Sequence, residues 1–419
     1  MDETKEDILR LVSRYYREVM SKKPRTKIPA SGKIFDEKEV MNAVEAALDG
    51  VWTHGRFALA FEKKLSSFLG MKHCLLTNSG SSANLLAVSS LGIKKGDEII
   101  TPAAGFPTTV NPIIQNGGVP VFVDVKENTF NIDEDAIENA ITDKTRAVIA
   151  AHTLGNPFNL DKIKSLCKKH GLFLIEDCCD ALGSRYRDRY VSTFGDISTF
   201  SFYPAHHITM GEGGAVVTDS DSMKKTIESI RDWGRDCWCA PGVDNTCGKR
   251  FGWKLGCLPE GYDHKYTYSR LGYNLKATDF QAAIGLAQLD KLPSFEEARK
   301  KNFSALKARL SEFECLSFAD SEPGADPSWF GFPIRLSGHR REDLTGFLEK
   351  NGIVTRLVFA GNITKQPYFK DIEHRISGSL DSSDYIMNNA FWIGVYPGIT
   401  QHDIEHIHET FRKFFLVRK

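Results

Sequence analysis

Short apolar, β-rich runs alternate with helix-length segments through the first two-thirds of the chain, and no other feature constrains the fold as strongly. The runs cover residues 73–77, 98–101, 119–125, 147–151 and 173–175. Nearly continuous apolar strands separated by helices are typical of a mainly parallel sheet that is buried on both faces. The sequence therefore predicts an α/β domain.

The later part of the chain predicts a second, smaller domain. Two strand-like runs, at residues 197–202 and 214–218, precede a segment rich in Cys, Gly, Trp and charge. That segment is followed by a helical pattern at residues 275–292. After Pro293 come helical patterns at 295–313 and 400–415 and apolar runs at 329–334 and 353–358, which are typical of an α+β domain. We expect three parts, an N-terminal helix and arm (1–35), a large domain (36–292) with a cysteine-rich excursion (231–261), and a small C-terminal domain (293–419).

The charges balance, with 54 Lys and Arg residues against 54 Asp and Glu residues among 419. A chain without net positive charge lacks the field that draws nucleic acid or an anionic membrane surface. Its start is acidic, unlike a secretory signal, and no run reaches the length of a membrane span. We expect a cytoplasmic protein that binds neither nucleic acid nor membrane, and whose nine cysteines are core fillers, metal ligands or reactive thiols rather than disulfides.

Polar residues follow the predicted strands at their carboxyl ends, where ligands bind in open α/β sheets. The stretch Ser79-Gly80-Ser81-Ser82 precedes a helix, and its small residues would let backbone N–H groups approach an anion. Taken alone, this pattern is more often an ordinary N-capped helix. Asp177 ends another predicted strand, and it is either a helix cap or the partner of a protonated ring nitrogen in an electron-withdrawing cofactor.

With these motifs the chain resembles the DegT/DnrJ/EryC1/StrS family of sugar aminotransferases, which bind pyridoxal phosphate in the fold type I (aspartate aminotransferase-like) architecture. The resemblance covers nearly the whole chain, through stretches at residues 50–55, 101–103, 131–133, 211–214 and 271–276. It implies a homodimer with shared active sites. It also implies roles for six residues: Gly80, Ser81 and Ser201 at the phosphate, Phe106 stacked on the ring, Asp177 at the pyridine nitrogen, and Asn274 at the phosphate of the neighbouring subunit.

One position departs from the family pattern, and it determines the reaction that we expect. The family reads Ser-Phe-His-x-x-Lys before a Gly-Glu-Gly-Gly turn, and the lysine forms a Schiff base with the cofactor. Here His206 stands at the lysine position, and no lysine occurs between Lys169 and Lys224. Imidazole cannot form that imine, but its pKa of about 6.5 suits proton transfer at neutral pH. We expect His206 to move a proton at C4′ of the amine form of the cofactor, pyridoxamine phosphate.

Two further positions depart from the family pattern together with His206. Asp180 and Tyr203 stand where family members usually carry His or Gln and His, respectively. We count both with His206 as catalytic candidates. Drift in a decayed pseudoenzyme is the alternative explanation, and it gives no reason for the arrangement of the cysteines.

Four cysteines lie at the spacing C-x57-C-x-C-x7-C, namely Cys179, Cys237, Cys239 and Cys247. Thiolates at this density suit iron–sulfur or zinc, although a Cys-x-Cys pair alone is more often incidental. The combination of these four cysteines with His206 is similar to the pattern of the CDP-4-keto-6-deoxy-D-glucose 3-dehydrase branch of the family, which uses pyridoxamine phosphate and a [2Fe–2S] cluster. The related GDP-4-keto-6-deoxymannose 3-dehydratases have the histidine but need no such thiols.

The resemblance implies an enzyme that removes the C3 hydroxyl of a nucleotide-linked 4-keto-6-deoxyhexose, for the 3,6-dideoxysugars of lipopolysaccharide O-antigens. It implies CDP-4-keto-6-deoxy-D-glucose as substrate and a flavin/iron–sulfur NAD(P)H reductase as electron donor. A dTDP-4-keto-2,6-dideoxyglucose 3-dehydrase is the alternative within the same architecture. A catalytically silent iron–sulfur or zinc scaffold is the alternative from another class, and binding of pyridoxamine phosphate distinguishes it from the enzymes.

Overall fold

The computed structural model describes residues 3–239 and 242–417, so residues 1 and 2 of the predicted arm and 240 and 241 of the predicted excursion lie outside the described residues. The α-helices are α1 (Glu3–Glu18), α2 (Glu37–Asp49), α3 (Arg56–Leu69), α4 (Gly80–Ser90), α5 (Pro107–Gln115), α6 (Glu134–Ala140), α7 (Leu160–His170), α8 (Asp221–Arg231), α9 (Asp279–Leu310), α10 (Arg341–Lys350), α11 (Asp381–Asn389) and α12 (Gln401–Val417). The β-strands are β1 (His73–Thr77), β2 (Glu98–Pro102), β3 (Val119–Val123), β4 (Thr145–Ala151), β5 (Phe173–Asp177), β6 (Arg185–Tyr186), β7 (Arg189–Tyr190), β8 (Ile197–Ser201), β9 (Gly214–Thr218), β10 (Leu316–Phe318), β11 (Ala325–Asp326), β12 (Gly331–Leu336), β13 (Arg375–Ile376) and β14 (Ala390–Gly394).

Eight strands form the main sheet, in the order β1-β9-β8-β5-β4-β2-β3-β13. Neighbours from β8 to β13 run parallel, whereas β9 is antiparallel to both β1 and β8. Strands β2 and β8 are buried along their full length, as expected for a sheet covered on both faces. The predicted α/β fold with a mainly parallel sheet is confirmed, and β1 and β9 have the predicted bounds.

Close backbone contacts bring three strand ends of the main sheet together. Gly214, the first residue of β9, pairs with Thr77 at the end of β1 and with Ser201 at the end of β8. A Cβ atom at Gly214 would lie 2.4 Å from the carbonyl carbon of Ser79 and 2.6 Å from the backbone nitrogen of Gly80. Only glycine fits there, so the turn that begins α4 packs directly on the sheet edge.

A smaller antiparallel sheet, β10-β12-β14, forms the centre of the C-terminal part. Its apolar side chains share one core cluster with those of α10 and α12. The apolar run at 353–358 forms no strand and makes only isolated bridges at Ile353 and Arg356. The place beside β12 is taken instead by β14, which the sequence analysis did not single out.

Helix α9 is one continuous helix of 32 residues, where the sequence predicts two separate helices. The prediction of separate helices is wrong, because Pro293 lies inside α9 rather than between two helices. Proline removes one backbone hydrogen bond, and the packing of both halves of α9 compensates for that loss. The domain boundary at 292 and 293 stays a prediction, and α9 runs across it.

The predicted N-terminal helix is present as α1, which is amphipathic and packs on α2. Lys5 on α1 donates to Asp49 at the end of α2 over 3.0 Å, while Leu11, Tyr15 and Val19 stay exposed. The described part of the chain contains no helix with the length and apolar character that a membrane crossing requires.

The start of α3 is capped by a residue that is distant in sequence. The carboxylate of Asp279, the first residue of α9, accepts from the backbone N–H groups of Gly55, Phe57 and Ala58 at 2.8–3.3 Å. A Cβ atom at Gly55 would lie 2.7 Å from this carboxylate. Asp279 is fully buried, so it joins two helices through groups that water cannot reach.

We expect Asp279→Ala to lower the free energy of unfolding by about 2–4 kcal/mol, because it leaves buried N–H groups without an acceptor. Urea denaturation followed by circular dichroism measures the loss. Asp290→Ala is the matched control, since Asp290 lies exposed on the same helix beside Lys64 and should cost less than about 1 kcal/mol. An equal effect of the two substitutions would show that the cap does not join the helices.

Candidate active site

One cavity of about 720 Å³ opens at the carboxyl edge of the main sheet, between that edge and the C-terminal part of the chain. Nine of the thirteen predicted site residues line this cavity: Gly80, Ser81, Phe106, Asp177, Cys179, Asp180, Ser201, Tyr203 and His206. The other four, Asn274, Cys237, Cys239 and Cys247, do not line it. The structure thus brings together the predicted phosphate, ring and proton-transfer groups.

Asp177 ends β5, and three neutral donors fix its carboxylate. Oδ2 accepts from Nδ2 of Asn84 at 2.9 Å and from Oγ1 of Thr109 at 2.6 Å, and Oδ1 accepts from the backbone nitrogen of Cys179 at 3.1 Å. Asn84 is itself held by the hydroxyl of Thr199, at 2.6 Å. In the described chain this buried carboxylate has no cationic partner, and a buried charge without one is costly. The arrangement suits a cationic group, such as a protonated ring nitrogen, that enters the cavity.

The predicted phosphate end is built on a close contact between α4 and β8. A Cβ atom at Gly80, the first residue of α4, would lie 2.5 Å from Cβ of Ser201. Ser79 caps the helix by accepting from the backbone nitrogen of Ser82 at 3.1 Å. Gly80, Ser81 and Ser201 all line the cavity beside this helix N-terminus. Backbone N–H groups and hydroxyls in this arrangement suit an anion.

His206 lies in the loop between β8 and β9, and its surroundings hold the ring in place. Nδ1 is 3.3 Å from Oδ1 of Asp180, an ion-pair distance without the alignment of a hydrogen bond. The ring of Phe330 lies 5.2 Å away between centroids, and the backbone carbonyl of His206 accepts from Arg299 at 3.5 Å. The imidazole is therefore supported by a carboxylate and an aromatic ring while it lines the cavity.

Asp180 and Arg299 form a buried pair of charged groups next to His206. Burial raises the pKa of Asp180 above its ordinary value, and the nearby His206 and Arg299 oppose that rise. Burial also lowers the pKa of Arg299 to about 10, so this side chain stays cationic at neutral pH. A carboxylate with a raised pKa beside an imidazole can exchange a proton with it.

The adjacent His207, unlike His206, does not line the cavity. It is buried outside the cavity lining, and its Nε2 donates to the carbonyl of Ser328 at 2.7 Å. Burial lowers the pKa of His207 well below its ordinary value. Of the two histidines, only His206 is placed to meet a bound molecule.

Three further predicted site residues have accessible side chains. Phe106 and Tyr203 line the cavity, whereas Asn274 does not. Phe106 lies at the start of α5 and makes an edge contact of 6.3 Å with Phe359 between ring centroids. Tyr203 is half-exposed within the cavity. Asn274 lies on the surface, where its backbone pairs with Asp232 at the base of the excursion.

The sequence analysis missed several residues that line the cavity or hold Asp177 in place. Asn84 falls one helical turn after Gly80, and that spacing could have placed it on the same face of α4. Thr109 carries no sequence signal, because its partner Asp177 is distant in the chain. Arg356 and Phe359 also line the cavity, and they come from the segment that the sequence analysis took only as an apolar run.

The three cysteines of the excursion have sulfur atoms that accept backbone hydrogen bonds. The backbone nitrogen of Cys239 donates to Cys237 at 3.5 Å, that of Thr246 to Cys239 at 3.4 Å, and that of Lys249 to Cys247 at 3.4 Å. The Thr246 hydroxyl lowers the pKa of Cys239, and the Lys249 amide lowers that of Cys247. Burial raises the pKa of Cys237, so only Cys239 and Cys247 are shifted toward the thiolate, the form in which cysteine binds metals.

Two more donors lie beside Cys247. Nε2 of the buried His264 is 2.8 Å from Oδ2 of Asp236, and its Nδ1 has no hydrogen-bond partner in the described chain. Nε1 of Trp253 is also buried and has no hydrogen-bond acceptor among the described residues. After the Lys249 amide, both side chains also lower the pKa of Cys247. The surroundings of these thiols therefore fit a thiolate-bound metal group.

Cys179, the fourth predicted metal ligand, lies in the cavity, and a Cβ atom at Gly80 would come within 3.1 Å of its sulfur. Burial, together with Asp177 and Asp180, raises the pKa of Cys179 well above its ordinary value. Within the described residues, the four predicted ligands do not converge closely enough to hold one metal ion. The structure therefore groups three of these thiols in the excursion and keeps the fourth at the cavity.

A pyridoxal or pyridoxamine phosphate fits the donor groups of the cavity. Asp177 lacks a counter-charge that a ring nitrogen would supply, and the missing side chain at Gly80 lets the start of α4 lie directly against Ser201 at the predicted phosphate position. Among the described residues that line the cavity none is a lysine, so the groups present would hold the cofactor without a covalent bond.

Comparison with known proteins identifies the family. The sequence profile of the DegT/DnrJ/EryC1/StrS aminotransferase family matches residues 34–412. The lipopolysaccharide biosynthesis protein RfbH of Salmonella typhimurium is 56% identical over 98% of this chain and 98% of its own length. The dTDP-4-dehydro-2,6-dideoxy-D-glucose 3-dehydratase of Saccharopolyspora spinosa is 51% identical over 98% of this chain and 92% of its own. The GDP-4-keto-6-deoxy-D-mannose 3-dehydratase of Yersinia pseudotuberculosis is 32% identical over 92% of this chain and 98% of its own.

Solved structures agree with the sequence comparison. The E. coli GDP-4-keto-6-deoxy-D-mannose-3-dehydratase with bound hydrated PLP superposes with a TM-score of 0.83 at 28% identity, covering 91% of this chain and 98% of that chain. Helicobacter pylori PseC, an aminotransferase of pseudoaminic acid biosynthesis, has a TM-score of 0.81 at 24% identity, covering 94% and 100% of the two chains, and it supports the fold alone. The predicted family is confirmed: this chain belongs to the DegT/DnrJ/EryC1/StrS aminotransferase family.

Proposed function

We propose that the chain is a nucleotide-sugar 3-dehydrase rather than an aminotransferase. It would remove the C3 hydroxyl of a nucleotide-linked 4-keto-6-deoxyhexose, with pyridoxamine phosphate as cofactor and a [2Fe–2S] cluster as electron carrier. The observation that carries this proposal is His206, which replaces the family's lysine and lines the cavity beside Asp180. The names of two relatives, both 3-dehydratases, support it.

The residues proposed to hold the cofactor follow from the cavity. Gly80, Ser81 and Ser201 would bind the phosphate, Phe106 would stack on the ring, and Asp177 would accept from the ring nitrogen. When bound, pyridoxamine phosphate supplies an amine for the ketone of the sugar and a ring that withdraws electrons from C4′.

His206 is proposed to move the proton at C4′, because it is the titratable base that the cavity presents at the lysine position. Asp180 would orient the imidazole and share its proton, since burial raises the pKa of this carboxyl. Tyr203 completes the set of catalytic candidates, because its half-exposed ring lines the same cavity.

The four cysteines Cys179, Cys237, Cys239 and Cys247 are the proposed cluster ligands. The hydrogen bonds from backbone N–H groups to the three excursion sulfurs support this assignment. Metal binding would also offset the cost of a buried thiolate at Cys179. A [2Fe–2S] cluster supplies one-electron transfer. The proposed electron source is a flavin/iron–sulfur NAD(P)H reductase.

We propose that the enzyme is a homodimer whose active sites are shared. Large apolar side chains lie exposed on the described surface, including Leu11, Trp52 and Leu59, and Leu271 is 88% exposed. Exposed apolar patches mark protein interfaces. Asn274 lies three residues after Leu271, which supports the proposal that it reaches the phosphate of the neighbouring subunit. Nine free cysteines suit a reducing compartment, and we propose the cytoplasm.

The proposed substrate is CDP-4-keto-6-deoxy-D-glucose. A second candidate is a dTDP-4-keto-2,6-dideoxyglucose, favoured by the 51% identity to the Saccharopolyspora spinosa enzyme. The relation to a lipopolysaccharide biosynthesis protein supports a role in O-antigen dideoxysugar formation.

We expect deoxygenation at C3 when the protein is incubated with pyridoxamine phosphate, a reductase and one of the two candidate sugars. Mass spectrometry and NMR of the product measure the loss of one oxygen and its position. Amino transfer to the sugar would contradict the proposed reaction. A protein that does not bind pyridoxamine phosphate would instead be the silent scaffold.

We expect His206→Asn to slow proton exchange at C4′ by about 10²–10⁴, the usual contribution of a general acid or base. Cofactor binding should change little, because Asp177 and the phosphate groups remain. His207→Asn is the control, and it should exchange at nearly the wild-type rate once its fold is verified by circular dichroism. If His206→Asn exchanged normally and His207→Asn lost exchange, the proposal that His206 is the base would be wrong.

We expect anaerobically purified protein to contain about two irons and two sulfides per chain, as a Cys₄-bound [2Fe–2S] cluster requires. Cys239→Ser should lose the iron and net deoxygenation while keeping cofactor binding and C4′ exchange. Cys315→Ser is the matched control, since Cys315 lies in the C-terminal core and should leave the iron in place. Stoichiometric zinc in a colourless wild-type protein would contradict the cluster.

A further inference from the structure

The mouth of the cavity carries a cationic group that the proposed chemistry does not use. Among the described residues that line the cavity, Arg356 is the one Lys or Arg side chain. Three carboxylates line the same cavity, those of Asp177, Asp180 and Glu212. An anionic substrate entering this cavity would therefore be repelled by these carboxylates and attracted by Arg356 and by the helix N-terminus that is proposed to hold the cofactor phosphate.

The guanidinium of Arg356 is free to bind a ligand. The side chain is exposed, and no carboxylate of the described chain forms an ion pair with it. Its Nη1 donates a hydrogen bond to the neighbouring carbonyl of Thr355, at 2.8 Å. The remaining donors of the fork are available, and a planar fork suits the paired oxygens of a phosphate.

The backbone around Arg356 is held rigidly, although the segment is not a strand. Arg356 exchanges two backbone hydrogen bonds with Trp392, at 3.0 and 2.7 Å. Three residues later, Phe359 adopts a φ of 47°, and the next residue, Ala360, donates to the carbonyl of Gly105 at 3.2 Å. A left-handed conformation costs energy for a residue with a bulky side chain, and such strain occurs at ligand-binding segments.

The position of Phe359 relates this rigid segment to the rest of the cavity. Its ring contacts Phe106, the residue proposed to stack on the cofactor, and both rings line the cavity. Arg356 is therefore fixed at the rim, while the reacting groups lie at the sheet edge. A substrate with its reacting carbon at His206 and a charged tail toward the rim would span the cavity.

We propose that Arg356 binds the diphosphate of the nucleotide-linked sugar at the mouth of the cavity. This inference rests on the proposed function, because that function supplies a substrate with a diphosphate. Arg356 would act by charge and bidentate hydrogen bonds on the phosphate oxygens. It would contribute to the affinity for the substrate and not to the proton chemistry at His206.

The test measures binding of nucleoside diphosphates to the full chain loaded with pyridoxamine phosphate. Isothermal titration calorimetry gives Kd for CDP, dTDP and the phosphate-free nucleoside cytidine. We expect Arg356→Ala to raise Kd for whichever diphosphate binds the wild type about 10- to 100-fold, the effect of losing charge-assisted hydrogen bonds. Arg356→Lys should recover part of the loss, because it restores the charge without the fork. Arg412→Ala, at an exposed arginine on α12, is the control and should bind like the wild type.

Four further measurements separate a diphosphate contact from a structural role. The difference in Kd between the wild type and Arg356→Ala should shrink as salt rises, and any weak affinity for cytidine should not change. With the nucleotide sugar, KM should rise while kcat stays nearly constant. C4′ proton exchange should remain at the wild-type rate.

Equal affinity of Arg356→Ala and wild type for the diphosphates would overturn this inference and leave the proposed function intact. An equal loss of cytidine and CDP binding would also overturn it, because the residue would then shape the pocket rather than bind phosphate. A wild-type protein that binds no nucleoside diphosphate would overturn both this inference and the nucleotide-linked substrate.

Discussion

Two neighbouring carboxylates at the end of β5 fix the geometry on which the site depends. Successive side chains of a strand point to opposite faces, so Glu176 and Asp177 act on different sides of the sheet. Glu176 accepts from the backbone nitrogens of Ser192, Phe194 and Gly195, which fixes the loop that leads into β8. Asp177 fixes α4 and α5 through Asn84 and Thr109.

Glu176 also belongs to a buried cluster of three side chains that resembles a metal site. His152, Glu176 and Cys178 lie close enough together to hold a metal ion. However, the carboxylate already accepts three backbone hydrogen bonds and a 3.1 Å contact from Nε2 of His152, which itself stacks on Phe158. The group is fully satisfied without an ion. It holds the sheet edge in place so that Asp177, the next residue, meets the cavity.

The sequence predicted much of this edge because its signals are local. The strands β1 and β9, the small residues after β1, and the histidine in place of a lysine could all be read from short stretches. The remaining features depend on contacts between distant segments. Thr109 has a role only because β5 brings Asp177 to it. Pro293 was read as a boundary because the packing that keeps α9 continuous leaves no trace in the local pattern.

The same limit explains the C-terminal part of the site. The segment containing Arg356 and Phe359 is apolar and β-rich in sequence, yet it makes only single bridges, one of them from Arg356 to Trp392 of β14. Its shape is set by Trp392 and Gly105, residues far from it in the chain. The four cysteines show a further limit, since their spacing predicts a common role but not that Cys179 lines the cavity while the other three lie in the excursion.

Helix α9 is about 48 Å long at the usual rise per residue, and it runs from the large core into the small one. It therefore connects the two cores as one continuous helix, and a movement of one core relative to the other would bend this helix. Pro293 is the position where α9 bends most easily, because one backbone hydrogen bond is missing there. Beyond this point Arg299 donates to the carbonyls of Phe330 and His206, at 3.2 and 3.5 Å. Bending at Pro293 would thus shift Phe330 and His206 together, because Arg299 bonds to both backbones.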